Sequence, residues 1–332
     1  MTTLTEAPVP AAASAPARRT RLRGLNWLVW RQHRAVFWTL IACTVVFAGA
    51  MVYERAQTMD YLNAHGWPHL KSGWSERYGA GPITHAASLL GFVPIVAGVF
   101  VGAPLLAGDL ESGTAKLVAS QSVSRVNWIA KKLGITVIVV AVCSAVLSTL
   151  FTWWWSPVKS EATVIEWSDG SGFDNSGPML VALTLLTLVG GVAIGLLLRR
   201  TLSAMVVTFA FSAVVQLVWS EVRLSFGSVV TATTHKGVLG DTFPHLPAAA
   251  DVLDQSYLTG SGKLIGYSTC VHEATEKAQA ACLQKADVVG WSVKYLPLSG
   301  MSTMQWLGAG TLLVLTAAIA VFVIQRARKR VL

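Results

Sequence analysis

The stretch LGITVIVVAVCSAVLSTLFTWWW, residues 133–155, runs for 23 positions without a charged side chain. A helix crossing about 30 Å of hydrocarbon needs roughly 20 mostly apolar residues. This run is long enough, and its ends fit a bilayer. Lys131 and Lys132 stand before it and three tryptophans close it. An indole buries its ring and keeps its N–H near headgroups, so Trp153, Trp154 and Trp155 are expected to mark one membrane interface. Ordinary packing tryptophans are the alternative.

Five further stretches qualify outward from this one, at about 35–53, 89–107, 178–198, 202–220 and 303–324. Pro94 and Pro104 are expected to kink the second, which a membrane helix tolerates where neighbours satisfy the freed carbonyls. Composition agrees. The 332 residues are 53% hydrophobic and 13% charged, with a mean hydropathy of +0.54. Soluble domains carry about 25% charged residues, so a water-soluble body of this size would lack polar cover. The expected fold is an all-α integral membrane protein with six transmembrane helices.

Charge sets the orientation. With the N-terminus inside, the inner segments hold 16 of the 26 basic residues and three acids, Glu6, Asp109 and Glu111. The outer segments hold the remaining 10 bases and 14 acids. Lys and Arg concentrate on the cytoplasmic side of membrane proteins, so both termini are expected there. The net charge of +9 would suggest nucleic acid in a soluble protein; here topology accounts for it and no nucleic-acid partner is expected.

Residues 1–17 are rich in Ala, Pro, Ser and Thr, lack an apolar core, and read as a disordered tail rather than a cleavable signal. Residues 18–34 place Leu22, Leu25 and Val29 at helical spacing among arginines. Such a segment is expected to lie along the inner membrane surface as an amphipathic helix, a plain positive flank being the alternative. Residues 35–332 then form the six-span domain, with a large extracellular loop at 221–302.

Little in the chain reads as chemistry. Cys270 and Cys282, in the outer loop, face an oxidising exterior and form a possible disulfide. YLTGSGKL, residues 257–264, lacks both the first glycine and the hydroxyl of a phosphate-binding loop, with Tyr257 and Leu264 in their places. His65 and His69 are separated by Trp67 and Pro68, which break the helix that would join them as metal ligands; no metal site is expected. Glu221 and Arg223, at the outer end of the fifth span, form a mutual or interfacial pair or an outer gate. The lack of other charges within the spans argues against ion-coupled transport. Gly98/Gly102 and Gly191/Gly195 have the small-xxx-small spacing of closely packed helices.

The segment between the second and third spans is GAPLLAGDLESGTAKLVASQSVSRVNWIAKKL, residues 102–133. Asp109 and Glu111 are unusual acids on a basic face. Gly113 and Thr114 suggest a turn, and Ser122 or Ser124 a cap for the next helix. The residues leave open a docking knob for another protein or a connecting loop with amphipathic flanks.

This stretch resembles the corresponding loop of bacterial ABC transporter permeases of the type-2 exporter family. Members show an acidic-x-Glu-x-Gly-Thr run, a Gln-Ser/Pro-Val-Ser/Thr-Arg run, then Trp and Lys. Asp109, Glu111, Gly113 and Thr114 match the first run, Gln121 through Arg125 the second, and Trp128 and Lys132 the close. WRQHR, Trp30 to Arg34, also resembles the family's pre-membrane segment.

The resemblance implies a membrane permease subunit that is no enzyme and binds no cofactor itself. ATP and Mg would sit on a separate cytoplasmic ABC ATPase dimer. A second permease copy or paralogue would complete the pathway in a bacterial plasma membrane. Asp109, Glu111, Gly113, Thr114, Gln121 and Arg125 would form the ATPase-coupling loop, and Arg199 and Arg200 a second cytoplasmic contact. A non-transporting scaffold or immunity protein on the same fold is the alternative.

Overall fold

The computed structural model describes residues 25–70, 74, 81–113, 124–161, 164–239 and 242–329. Among the described residues, six helices are long and apolar enough to cross a membrane: Val29–Ala64, Gly81–Glu111, Val126–Trp155, Met179–Leu198, Thr201–Phe226 and Leu298–Arg328. In chain order they are the first to sixth spans. The mostly helical, six-span class expected from the apolar runs is the class observed.

The first span belongs to one unbroken helix, Leu25–Ala64, of 40 residues. At about 1.5 Å per residue it is about 60 Å long, twice the hydrocarbon thickness. Residues 25–34 therefore continue directly into the span as helix. The expected tail, and residues 18–24 of the expected interfacial segment, lie outside the described residues.

The second span is segmented. Helical pieces Gly81–Gly91, Val93–Val96 and Ala103–Glu111 flank a π-helical stretch, Ala97–Gly102. Pro94 and Pro104 each sit in the first turn of their piece, where a missing N–H costs nothing. Neighbouring spans serve the carbonyls around the break. Gln216 Nε2 donates to Gly91 O at 2.9 Å, and Thr187 Oγ1 donates to Pro94 O at 2.6 Å. In hydrocarbon no water would do so.

The fourth span is the centre of the bundle, buried along nearly its whole length. The two glycine pairs meet there. Gly98 and Gly102 lie against the Thr187 and Leu188 backbone, and Gly191 and Gly195 against Gly98 and Ala103. A Cβ added to Gly98 would stand 2.9 Å from Thr187 O, and one added to Gly191 would stand 2.6 Å from Gly98 O. Backbone packs on backbone because the glycines carry no side chain to hold it off.

The tryptophan reading needs correction. Trp154 and Trp155 are each only 1% exposed and Trp219 only 4%. They pack with Phe151, Trp167, Phe173 and Met179 in the largest core cluster. Trp154 Nε1 donates to Thr58 Oγ1 at 2.9 Å. Of the three in a row only Trp153 turns outward, as does Trp306 of the sixth span. A helix presents successive residues 100° apart, so three in a row cannot share one face.

Residues 221–302, whose internal fold the sequence leaves open, hold a four-stranded antiparallel sheet. Its strands are β1 (Val230–Thr233), β2 (Asp251–Thr259), β3 (Leu264–Gly266) and β4 (Val288–Leu296), in the order β1-β4-β2-β3. A helix, Glu276–Lys285, is capped by the Thr275 hydroxyl and precedes β4. The sheet sits at the Trp155 end of the bundle, tied to it by Trp167 Nε1 donating to Ala249 O at 2.6 Å.

Candidate functional site

The second span ends in Gly108–Asp109–Leu110–Glu111, and the two acids point to different tasks. Asp109 is buried. It forms an ion pair with Lys132 of the third span, whose side chain is fully enclosed. Gln32 Nε2 of the first helix donates to the other Asp109 oxygen at 2.9 Å. Three helices thus meet on one carboxylate. Trp128 stands one turn before Lys132 with its ring 5.3 Å from the ammonium. His33, beside Gln32, keeps its Nε2 buried without a hydrogen-bond partner.

Counting intramembrane charges from sequence misses this pair, because both residues sit at span ends and read as loop. The readable signal is an acid on an otherwise basic face, 23 positions before a lysine at the mouth of an apolar run. A buried charge needs a partner, and acids on that face are few.

Glu111 is exposed and reaches sideways. Its carboxylate accepts the backbone N–H of Thr201 at 2.8 Å. Thr201 opens the fifth-span helix, whose first N–H groups have no partner within the helix. An anion there also meets the positive end of the helix dipole. Arg199 and Arg200 form the two-residue link just before it. Arg199 takes the left-handed conformation, φ 58°, that closes the fourth span, and both arginines are exposed. The two stretches expected on one side of the membrane are therefore joined by a hydrogen bond.

Between Glu111 and the third span the chain turns at Gly113, with φ 72°. Thr114 and Gln121 lie outside the described residues. Ser124 caps the third helix, its hydroxyl accepting from Asn127 N–H at 3.3 Å, and Arg125 is the first residue of that helix; its side chain lies outside the description.

At the opposite end, Arg223 meets Asp174 rather than Glu221. Its Nη1 stands 3.4 Å from Asp174 Oδ2 and its Nε donates to Ser168 O at 3.1 Å. Trp219 Nε1 donates to Asp174 Oδ1 at 2.6 Å. Burial pushes the Asp174 carboxyl up to about 6, against the opposing pull of Trp219 and Arg223. Glu221 is exposed. Residues two apart on a helix face different ways, so this pair does not form. Asp174 and Arg223 line a cavity of about 520 Å³ between the second, fourth and fifth spans.

In the sheet region, Cys270 and Cys282 are disulfide-bonded, with Cα atoms 5.9 Å apart. YLTGSGKL forms the β2–β3 hairpin turn, closed by Thr259 and Lys263. It leads into a strand, not into the helix a phosphate-binding loop requires.

Among the described residues the site so assembled pairs no nucleophile with a base. It offers two loop ends on one side, anchored to five of the six spans. Residues 41–223 match the family model described as ABC-2 membrane transporter related. No curated protein and no solved structure matches the chain. That matched segment covers more than half of the protein and includes both loop ends, and so the chain belongs to the ABC-2 membrane transporter related family.

Proposed function

We propose that the chain is the permease subunit of an ATP-binding cassette exporter, working with a second permease copy or paralogue in a bacterial plasma membrane. A separate cytoplasmic ATPase dimer, holding ATP and Mg, drives it by pressing on residues 109–125. Arg199 and Arg200 add a second contact. The Glu111–Thr201 hydrogen bond carries this reading, because it links the two stretches that one partner would touch.

The mechanical sense follows from the anchors. A push on the turn after Glu111 acts on the second span directly and on the fifth through Thr201. The Asp109–Lys132 pair brings the third span along, and Gln32 the first. The glycine contacts pass the same displacement to the fourth. The bundle would move as a body rather than bend at the loop, as alternating access requires.

The test is a mild-detergent pull-down of the tagged chain from native membranes, identifying what co-purifies. An ATPase that is retained by wild type and lost from the E111A/R125A double variant supports the reading. Reproducible absence of any ATPase overturns it in favour of a membrane scaffold on the same fold.

A further inference from the structure

A groove of about 920 Å³ opens between the third span, the start of the fourth and the sixth, at the sheet end of the bundle. Its volume lies within the range of small-molecule sites. Its lining is graded. The end nearest the sheet carries Ser156, Lys159, Ser299 and Ser302. Toward mid-membrane it carries Ala145, Val181 and Leu313, with the Thr149 hydroxyl the polar group nearest them along the third helix.

The gradient has a length. Ala145 to Trp155 on the third helix is about 15 Å, and Ser302 to Leu313 on the sixth is about 16 Å. The two helices run antiparallel, so polar meets polar and apolar meets apolar. The groove therefore reaches from the interface to about the middle of the bilayer. Trp153 and Trp306, exposed, stand at its rim.

Charge narrows the occupant. Lys159 is the one charged side chain among the described lining residues, and among the described residues it makes no ion pair. Its neighbours at that end are hydroxyls. One more donor, the Trp155 indole N–H, lies buried in the wall without an acceptor. Cations and hydroxyls around an apolar slot suit an anionic head with a hydrocarbon chain behind it.

We propose that this groove is a binding site for one anionic, phospholipid-type amphiphile in the leaflet on the sheet side. The head lies between Lys159 and the serines of the sixth-span start, and a chain runs past Ala145 toward Leu313. Trp153 and Trp306 hold the headgroup level. The site stands apart from the loop ends at Glu111 and depends on no ATPase.

The test is a titration of the full-length protein in detergent, read by native mass spectrometry. The probes are dioleoylphosphatidylglycerol, dioleoylphosphatidylcholine and inorganic phosphate. Wild type should retain one phosphatidylglycerol in preference to phosphatidylcholine. Lys159→Glu should cut that preference at least about fivefold, the worth of one basic residue toward an anionic lipid surface. Ala145→Trp, which fills the slot on its open side, should lower retention of both lipids while leaving the protein folded. An unchanged preference in K159E would overturn the proposal. So would displacement of the lipid by millimolar phosphate, which would mean a free-anion site. Failure here leaves the permease reading standing, since the readout involves neither partner nor transport.

Discussion

Glu111 and Thr201 stand 90 positions apart in sequence, yet the carboxylate of one accepts the backbone N–H of the other at 2.8 Å. Glu111→Ala removes the acceptor and leaves the first turn of the fifth-span helix uncapped. Hydrogen–deuterium exchange at Thr201 and the next amides should quicken in E111A. Glu111→Gln keeps a carbonyl oxygen and should stay near wild type. Equal exchange in all three proteins would remove this contact from the account.

The Asp109–Lys132 pair should behave as a buried ion pair. Asp109→Asn or Lys132→Met alone leaves an uncompensated charge and should cost about 3–5 kcal/mol. The double replacement Asp109→Leu with Lys132→Met removes both charges and should recover most of that loss. Denaturant unfolding in detergent measures all four proteins. Additive single losses in the double variant would contradict the pairing.

Glycine substitutions should split by place. Gly191→Ala puts a methyl group 2.6 Å from Gly98 O, against backbone that has little room to give. It should destabilise by about 1–3 kcal/mol. Gly49→Ala, in the first span, meets nothing within 4 Å. It should be neutral or stabilise by up to about 1 kcal/mol, as alanine favours helix. Thermal unfolding of the two variants checks the contrast.

Asp174 should give stability a pH dependence. Its folded pKa, about 6, lies above the ordinary carboxyl value of 3.8. The folded protein therefore holds this proton more tightly than the unfolded chain. The stabilising contribution is full below 3.8 and is lost as pH rises to about 6. Asp174→Asn keeps an oxygen for Trp219 and cannot titrate, so it should flatten that part of the curve. Glu166 is also shifted upward, by burial and then by Asp251 and Asp169, so the wild-type minus D174N difference is the quantity to plot. Parallel curves would show that folding does not raise the Asp174 pKa.

The six spans were legible because uncharged runs of about 20 residues have few alternatives to a bilayer. The glycine pairs were legible as packing, though not as facing each other. Asp109 and Lys132 were seen as residues and missed as a pair, since burial at a span end depends on which helices converge there. Glu221 and Arg223 are neighbours in sequence, but their two-residue spacing puts them on different faces. The sheet could have been read further. VVGWSVKYL, residues 288–296, is rich in β-branched and aromatic residues, and β2 pairs with it across a largely polar connection. What no pattern spelled was Arg223 reaching Asp174, a contact between the end of the fifth span and a connecting segment, brought together only by the packed spans.

The enclosure of the fourth span has a consequence for biogenesis. When it leaves the ribosome, the fifth and sixth helices do not yet exist. The sides that those two helices will cover enter lipid bare, and the largely apolar character of the span suits that moment. Once the later helices arrive, the same surface is sheathed by protein and hardly touches acyl chains. Its composition thus serves insertion as well as the finished bundle, and a polar replacement on the side that the later helices cover is a burden at insertion before it is one in the fold.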